Sequence, residues 1–93
     1  MSRAASATVT IANKLGLHAR PAMIFVEKAS DFQAEIAVRR CDQNEAVDGK
    51  SIMQMMMLAA TQGTQIEITA SGADAKEAIR NLVALVKSKF EED

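Results

Sequence analysis

The sequence predicts an α+β domain: a two-layer open-faced sandwich with a mostly antiparallel four-stranded sheet and three helices on one face, in the order β-α-β-β-α-β-α. Three observations predict it. Strand-like and helix-like periodicities alternate along the chain with no linker, repeat or low-complexity segment between them. The strand candidates are short and mix apolar with polar residues in alternation, as a sheet with one solvated face requires. The 93 residues suit a single domain, 1–93, with a radius of gyration near ~12 Å, which leaves little room for a deep cleft.

Each element follows from its local pattern. Thr8-Val9-Thr10-Ile11 is β-branched throughout and alternates hydroxyl with aliphatic, so it reads as a strand. Ala22, Phe25, Val26 and Ala29 fall on one face of a first helix. Pro21 fits the first turn of that helix, where an N–H would have no intrahelical partner; His18 then stands at the N-cap. Ala34 to Val38 is a second strand, with Ala34, Ile36 and Val38 on one face. Glu45-Ala46-Val47 is a short third strand entering a turn at Asp48-Gly49. Ser51 to about Ala60 is a second helix, with Met55, Leu58 and Ala59 on its core face and Gly63 as its stop signal. Thr64 to Thr69 is the clearest alternating strand, with Ile66 and Ile68 between polar neighbours. Asp74 and Glu77 have the spacing of a capping box that opens the last helix. Ile79, Leu82, Val83, Val86 and Phe90 form its apolar stripe.

Composition removes several function classes. Eleven Lys+Arg against twelve Asp+Glu give a net charge of −1, without the basic excess that neutralises nucleic-acid phosphates. The longest apolar run, Met55 to Ala60, is six residues and too short to span a membrane. No signal peptide is visible at the N-terminus, and the single Cys41, a bystander thiol in a polar stretch, cannot close an intramolecular disulfide. These features favour the cytoplasm. No cofactor or metal is implied by any spacing.

The chemistry concentrates in Leu15-Gly16-Leu17-His18-Ala19-Arg20-Pro21-Ala22, which holds the only histidine. The free N–H groups of a helix start and the positive end of its dipole converge on an anion beside the imidazole, those of Ala19 and Arg20 first. Arg20 adds a permanent fork-shaped cation suited to phosphate oxygens, and Gly16 permits a tight backbone path before the histidine. The bland alternative is a surface His beside an Arg.

Gly16-Leu17-His18-Ala19-Arg20-Pro21-Ala22 resembles the active-site motif of the histidine-containing phosphocarrier (HPr) family of the bacterial phosphoenolpyruvate-dependent phosphotransferase system. The resemblance runs over essentially the whole chain and includes Gly49-Lys50-Ser51-Ile52-Met53. It implies a phosphocarrier that is not itself an enzyme. His18 would accept a phosphoryl group at Nδ1 from Enzyme I and pass it to an EIIA-type domain. Arg20 and the backbone N–H groups of Ala19 and Arg20 would steady it. Phosphoryl transfer asks mainly for positioning and charge stabilisation, which a small rigid surface site can supply.

Gly49-Lys50-Ser51 looks like the tail of a nucleotide-binding P-loop, but the Gly required five residues earlier is Asn44, and that reading is rejected. Ser51-Ile52-Met53-Gln54 reads instead as a capping box. The resemblance implies that Ser51 is also, in some lineages, the target of a serine kinase/phosphorylase, which would make it a regulatory phosphorylation site. Ile52, Met53 and Met56, with Met23 and Ile24 on the first helix, form a candidate docking patch for protein partners. Glu27 and Asp31 place acid on or near the first helix, leaving Arg20, Lys28 and Lys50 as the positive charge near the site and the branch, sugar uptake or nitrogen-type, open. A monomer is expected. Two other classes remain: a purely regulatory binding module controlled through Ser51, and a small phosphatase-like enzyme, which lacks a second catalytic group at recognisable spacing.

Overall fold

A computed structural model describes residues 3–91. Its elements are β1 (Ala4–Thr10), α1 (Ala19–Ala29), β2 (Glu35–Arg40), β3 (Ala46–Asp48), α2 (Ile52–Met57), β4 (Gln65–Ser71) and α3 (Ala75–Lys87), followed by a 3-10 turn at Lys89–Glu91. The sheet runs β1-β4-β2-β3 with every neighbouring pair antiparallel. The predicted α+β open-faced sandwich is the fold observed. Its radius of gyration is 11.8 Å.

Alternation sets the register. Val9 stands opposite Ile66 and Val38 opposite Ile68, so the inward side chains of three strands meet in one layer. These residues, with Ile36 and Ala70, are buried, while Thr8, Thr10 and Glu35 on the other face are exposed. Phe25 and Ala22 from α1 and Ala78, Leu82 and Val86 from α3 close the core from above; all five are fully buried. Burying one phenylalanine of this kind contributes roughly 1.5–3 kcal/mol.

Element boundaries differ from the sequence expectation, most of all in β1 and α2. β1 starts at Ala4, not Thr8, because the exposed ladder of β4 pairs it from Ala4↔Ser71 to Thr10↔Gln65, although Ala4 to Ala7 carry no strong strand pattern. Ile11 lies just past the strand, buried, with its N–H donated to the Thr64 carbonyl at 2.9 Å. α2 is only six residues long and stops at Met57 instead of about Ala60. Ala59 turns left-handed at φ 52° and is exposed, so it leaves the core face on which Met55 and Leu58 do lie. Gly63 therefore does not stop the helix; it lies in the turn into β4, where its N–H donates to the Ile11 carbonyl at 2.8 Å.

The start of α3 also departs from expectation. The Asp74 side chain makes no cap hydrogen bond. Its two carboxylate oxygens accept instead from the backbone N–H groups of Gln33 and Ala34, both at 2.8 Å, and so tie the loop after α1 to the start of α3. Along α3 the buried stripe includes Ala78 and Leu85 besides the expected Ile79, Leu82 and Val86, while Val83 is only half-buried. Phe90 reaches the core from a separate left-handed turn at φ 58°.

Candidate functional site

Three residues of the predicted site are brought together by the start of α1 alone. His18 is the N-cap in extended geometry (φ −86°, ψ −170°), and its carbonyl accepts from Ala22 N at 3.0 Å, which closes the first turn. Ala19 and Arg20 supply the next N–H groups, which helix geometry leaves without an intrahelical acceptor, and Pro21 has none to supply. The imidazole does not cap the helix. His18 is half-buried, whereas Ala19 and Arg20 are exposed. The arrangement presents an imidazole, two N–H donors at the positive pole of a dipole, and a guanidinium on one short stretch of chain.

The loop into α1 is held from behind. Asn13 Nδ2 donates to the Gly16 carbonyl at 2.6 Å, and Gly16 N donates to the Asn13 carbonyl at 3.1 Å. Gly16 has φ +70°, and a Cβ there would run into the Ala60 carbonyl oxygen and lie 2.8 Å from Thr61 Cα. Leu17 N then donates to the Ala60 carbonyl at 2.8 Å. The peptide before His18 thus rests on the segment that follows α2.

Ser51 caps α2: its Oγ accepts from Gln54 N at 3.3 Å. The return arm of the expected capping box goes elsewhere, because Gln54 Oε1 accepts from Asp48 N at 2.9 Å. Gly49 has a packing role that also accounts for the P-loop likeness, since a Cβ there would sit 2.6 Å from Ile36 Cγ2.

The candidate docking residues differ in exposure. Met23, Ile52, Met53 and Met56 are exposed, but Ile24 is half-buried and packs against the core. Leu15 and Met57, left out of the candidate patch, are also exposed, at 75% and 76%. Among the described residues every exposed large apolar side chain lies on α1, α2 or the loop into α1. The signal for Leu15 was an aliphatic residue outside any stripe and beside a glycine.

The cations are placed differently from expectation. Lys50 Nζ donates to the Phe32 carbonyl at 2.7 Å, just past the far end of α1. Lys28 lies in the last turn of α1, about 12 Å along the axis from Arg20 at the usual rise. Arg39 pairs with Glu67 at 3.1 Å and bonds the Gln43 carbonyl at 2.7 Å. Arg40 pairs with Asp42 at 2.9 Å. Of the cations invoked from sequence, Arg20 alone stands at the His18 end of α1; Lys14, exposed in the preceding loop, is the other cation near it in the chain. Cys41 is exposed. Among the described residues no group of three or more His, Cys, Asp or Glu side chains could hold a metal ion, and no helix is long and apolar enough to cross a membrane.

The family described as "PTS HPr component phosphorylation site" matches residues 5–88. The phosphocarrier protein HPr of Neisseria meningitidis serogroup A is 48% identical over 85 residues, 91% of this chain and 93% of that protein. The phosphocarrier protein NPr of Escherichia coli K12 is 43% identical over 86 residues, 92% of this chain and 94% of that one. The crystal structure of HPr-C-His from Thermoanaerobacter tengcongensis has a TM-score of 0.89 at 46% identity, covering 96% of this chain and 98% of that chain.

Proposed function

The chain belongs to the HPr family of phosphotransferase-system phosphocarriers, and from that premise we propose that His18 accepts a phosphoryl group from phosphorylated Enzyme I and passes it to an EIIA-type domain. The observation that carries the proposal is the His18 N-cap, with the Ala19 and Arg20 N–H groups and the Arg20 side chain next along the chain. The lone pair of the imidazole Nδ1 attacks phosphorus as the donor's bond to phosphorus breaks; handing on reverses the step at the acceptor. Charge on the three equatorial oxygens is met by the helix-start N–H groups and the Arg20 guanidinium. The protein is a carrier, consumed and regenerated in each cycle, and no second catalytic group is required of it.

The exposed Met23, Ile52, Met53 and Met56, together with Leu15 and Met57, supply the surface on which donor and acceptor dock in turn. A serine kinase/phosphorylase acting on Ser51 would place about −1.5 to −2 charges beside Ile52 and Met53 and so weaken docking. The protein works as a monomer in the cytoplasm. Relatives named HPr and NPr match at 48% and 43% identity, so EIIA-type acceptors of both the sugar and the nitrogen-type branch are candidates.

The test is phosphorus NMR after incubation with phosphoenolpyruvate and an active Enzyme I. An acid-labile phosphohistidine signal is expected, lost in His18→Ala, with transfer slowed more than docking in Arg20→Ala. Labelling retained by a folded His18→Ala protein would overturn the assignment.

A further inference from the structure

We propose that Arg40 is a positioning residue for phosphoryl transfer at His18, an assignment that rests on the carrier reading above. Arg40 ends β2, and its guanidinium is used on both sides. Nε and Nη2 donate to the two oxygens of Asp42 at 3.0 and 2.9 Å, a bidentate pair that fixes the plane of the group. Nη1 donates to the carbonyls of Leu58 at 3.3 Å and Ala59 at 3.1 Å. Leu58 is the C-cap of α2, whose carbonyl helix geometry leaves without a partner, and Ala59 is the first residue past it.

The two bonds add to the backbone bonds of this turn, in which the Leu58 and Ala59 N–H groups donate to the Met55 and Met56 carbonyls at 3.2 and 3.1 Å. Ala59 has φ 52°, a region in which a residue with a Cβ stays only when its surroundings keep it there. The next carbonyl along the chain, that of Ala60, accepts the Leu17 N–H at 2.8 Å, and Leu17 precedes His18. Every link from the Arg40 guanidinium to the N-cap is therefore a hydrogen bond or a single peptide unit. Slippage is blocked as well, because Gly16 already lies against the Ala60 carbonyl and Thr61. When the Leu58 and Ala59 carbonyls lose their donor, the Ala59 turn relaxes, the Ala60 acceptor moves, and the Leu17–His18 peptide turns with it. Small misplacements of a reacting group are costly to transfer, about 100-fold for 1 Å. Lysine cannot replace this function, since one ammonium has no planar fork to serve a carboxylate and two carbonyls together.

The experiment uses the full chain and compares Arg40→Ala, Arg40→Lys and Arg39→Ala with wild type, each assayed well below its own unfolding temperature. Arg39 is the control because its bonds go to Glu67 and to the carbonyls of Arg40, Cys41 and Gln43, none of them in the segment after α2. Two readouts are taken: phosphorylation by phosphorylated Enzyme I over a range of carrier concentrations, and amide hydrogen exchange. In Arg40→Ala the maximal rate should fall about 10-fold with KM within twofold, a loss of positioning and not of docking. The Leu17 amide should exchange faster by a larger factor than that of Ile68 in mid-sheet, which reports global opening. Arg40→Lys should lose about two- to fivefold and Arg39→Ala nothing. A wild-type maximal rate in folded Arg40→Ala, or a loss confined to KM, would overturn the proposal. Should Arg40→Ala fail to fold, Arg40→Lys decides in the same way: a twofold or greater fall in maximal rate supports it and a wild-type rate overturns it. Wild-type protein that takes no phosphoryl group on His18 would instead overturn the carrier reading, before any variant is compared.

Discussion

Replacing Gly16 by alanine tests whether the surface site depends on the segment behind it. Two costs follow from the geometry. At φ +70° a Cβ meets the left-handed penalty of about 1–2 kcal/mol. The same Cβ would stand 2.8 Å from Thr61 Cα and nearer still to the Ala60 carbonyl, so backbone must withdraw by roughly 0.6 Å or more to reach ordinary contact. That withdrawal stretches the 2.8 Å Leu17–Ala60 hydrogen bond, whose loss costs a further ~0.5–1.5 kcal/mol. Together these give about 1.5–3.5 kcal/mol, or a fall in Tm of roughly 6–28 °C for a domain of this size. Gly63→Ala separates the two costs. Gly63 has φ +90° but nothing within 4 Å of its absent side chain, so it should lose only the conformational part, roughly 1–2 kcal/mol. Thermal and urea unfolding of both variants gives the stabilities, and phosphoryl transfer from Enzyme I, assayed well below each Tm, gives the rates. Gly16→Ala should also slow transfer, whereas Gly63→Ala should not. Equal destabilisation of the two, with transfer unchanged in both, would refute the idea that the loop behind His18 is held by close contact with Ala60 and Thr61.

Two further outcomes are expected. The hydrogen bond from Gln33 N, then that from Ala34 N, holds the Asp74 carboxyl below the usual carboxylate range. A depressed native value means stability that is present above the unfolded pKa near ~3.9 and lost as pH falls through the folded value. Wild type should therefore exceed Asp74→Asn in Tm at pH 7, and the gap should close as the pH drops below about 4; a gap that stays constant to pH 2 would contradict the assignment. Ser51→Ala removes one acceptor from a helix of only six residues, through a bond of 3.3 Å, so the lower end of the capping range applies. Stability should fall by about 0.5–1 kcal/mol with the transfer rate kept, as read by urea unfolding and the same transfer assay.

The parts of this protein that were readable in the sequence share one property: their determinants are local. Ile66 and Ile68 alternate within one strand, Ala22, Phe25 and Val26 repeat within one helix, and Ser51 caps the turn that follows it. The misread parts were decided across the chain. Asp74 has the spacing of an N-cap, but two bare N–H groups from the loop after α1 compete for its carboxylate and win. The sequence carries α2 on to about Ala60 because no local pattern announces that Arg40, 18 residues earlier, binds the Leu58 carbonyl. Ala4 to Ala7 form a strand because β4 offers a partner edge, not through strand-forming side chains.

The same distinction runs through the site. His18, Ala19 and Arg20 are consecutive, so the arrangement that could hold a phosphoryl group is complete within one helix start and visible as a motif. Nothing in those three residues fixes the peptide that leads into them. Its position is set by Leu17 on Ala60, by Gly16 against Thr61, and in turn by the donors that hold Leu58 and Ala59. Charge follows the same rule. Lys50 and Arg40 count as cations in composition, yet one is engaged by the Phe32 carbonyl and the other by Asp42 and the end of α2. Net charge therefore does not describe this surface: Arg20 stands at the His18 end of α1, Lys14 precedes it in the chain, and the exposed methionines lie on α1 and α2. Apolar contact is weakly screened by salt, and a short-range Arg20 contact acts only once the partner has docked. Chains with the same motif can thus differ in partner through residues that the motif does not contain.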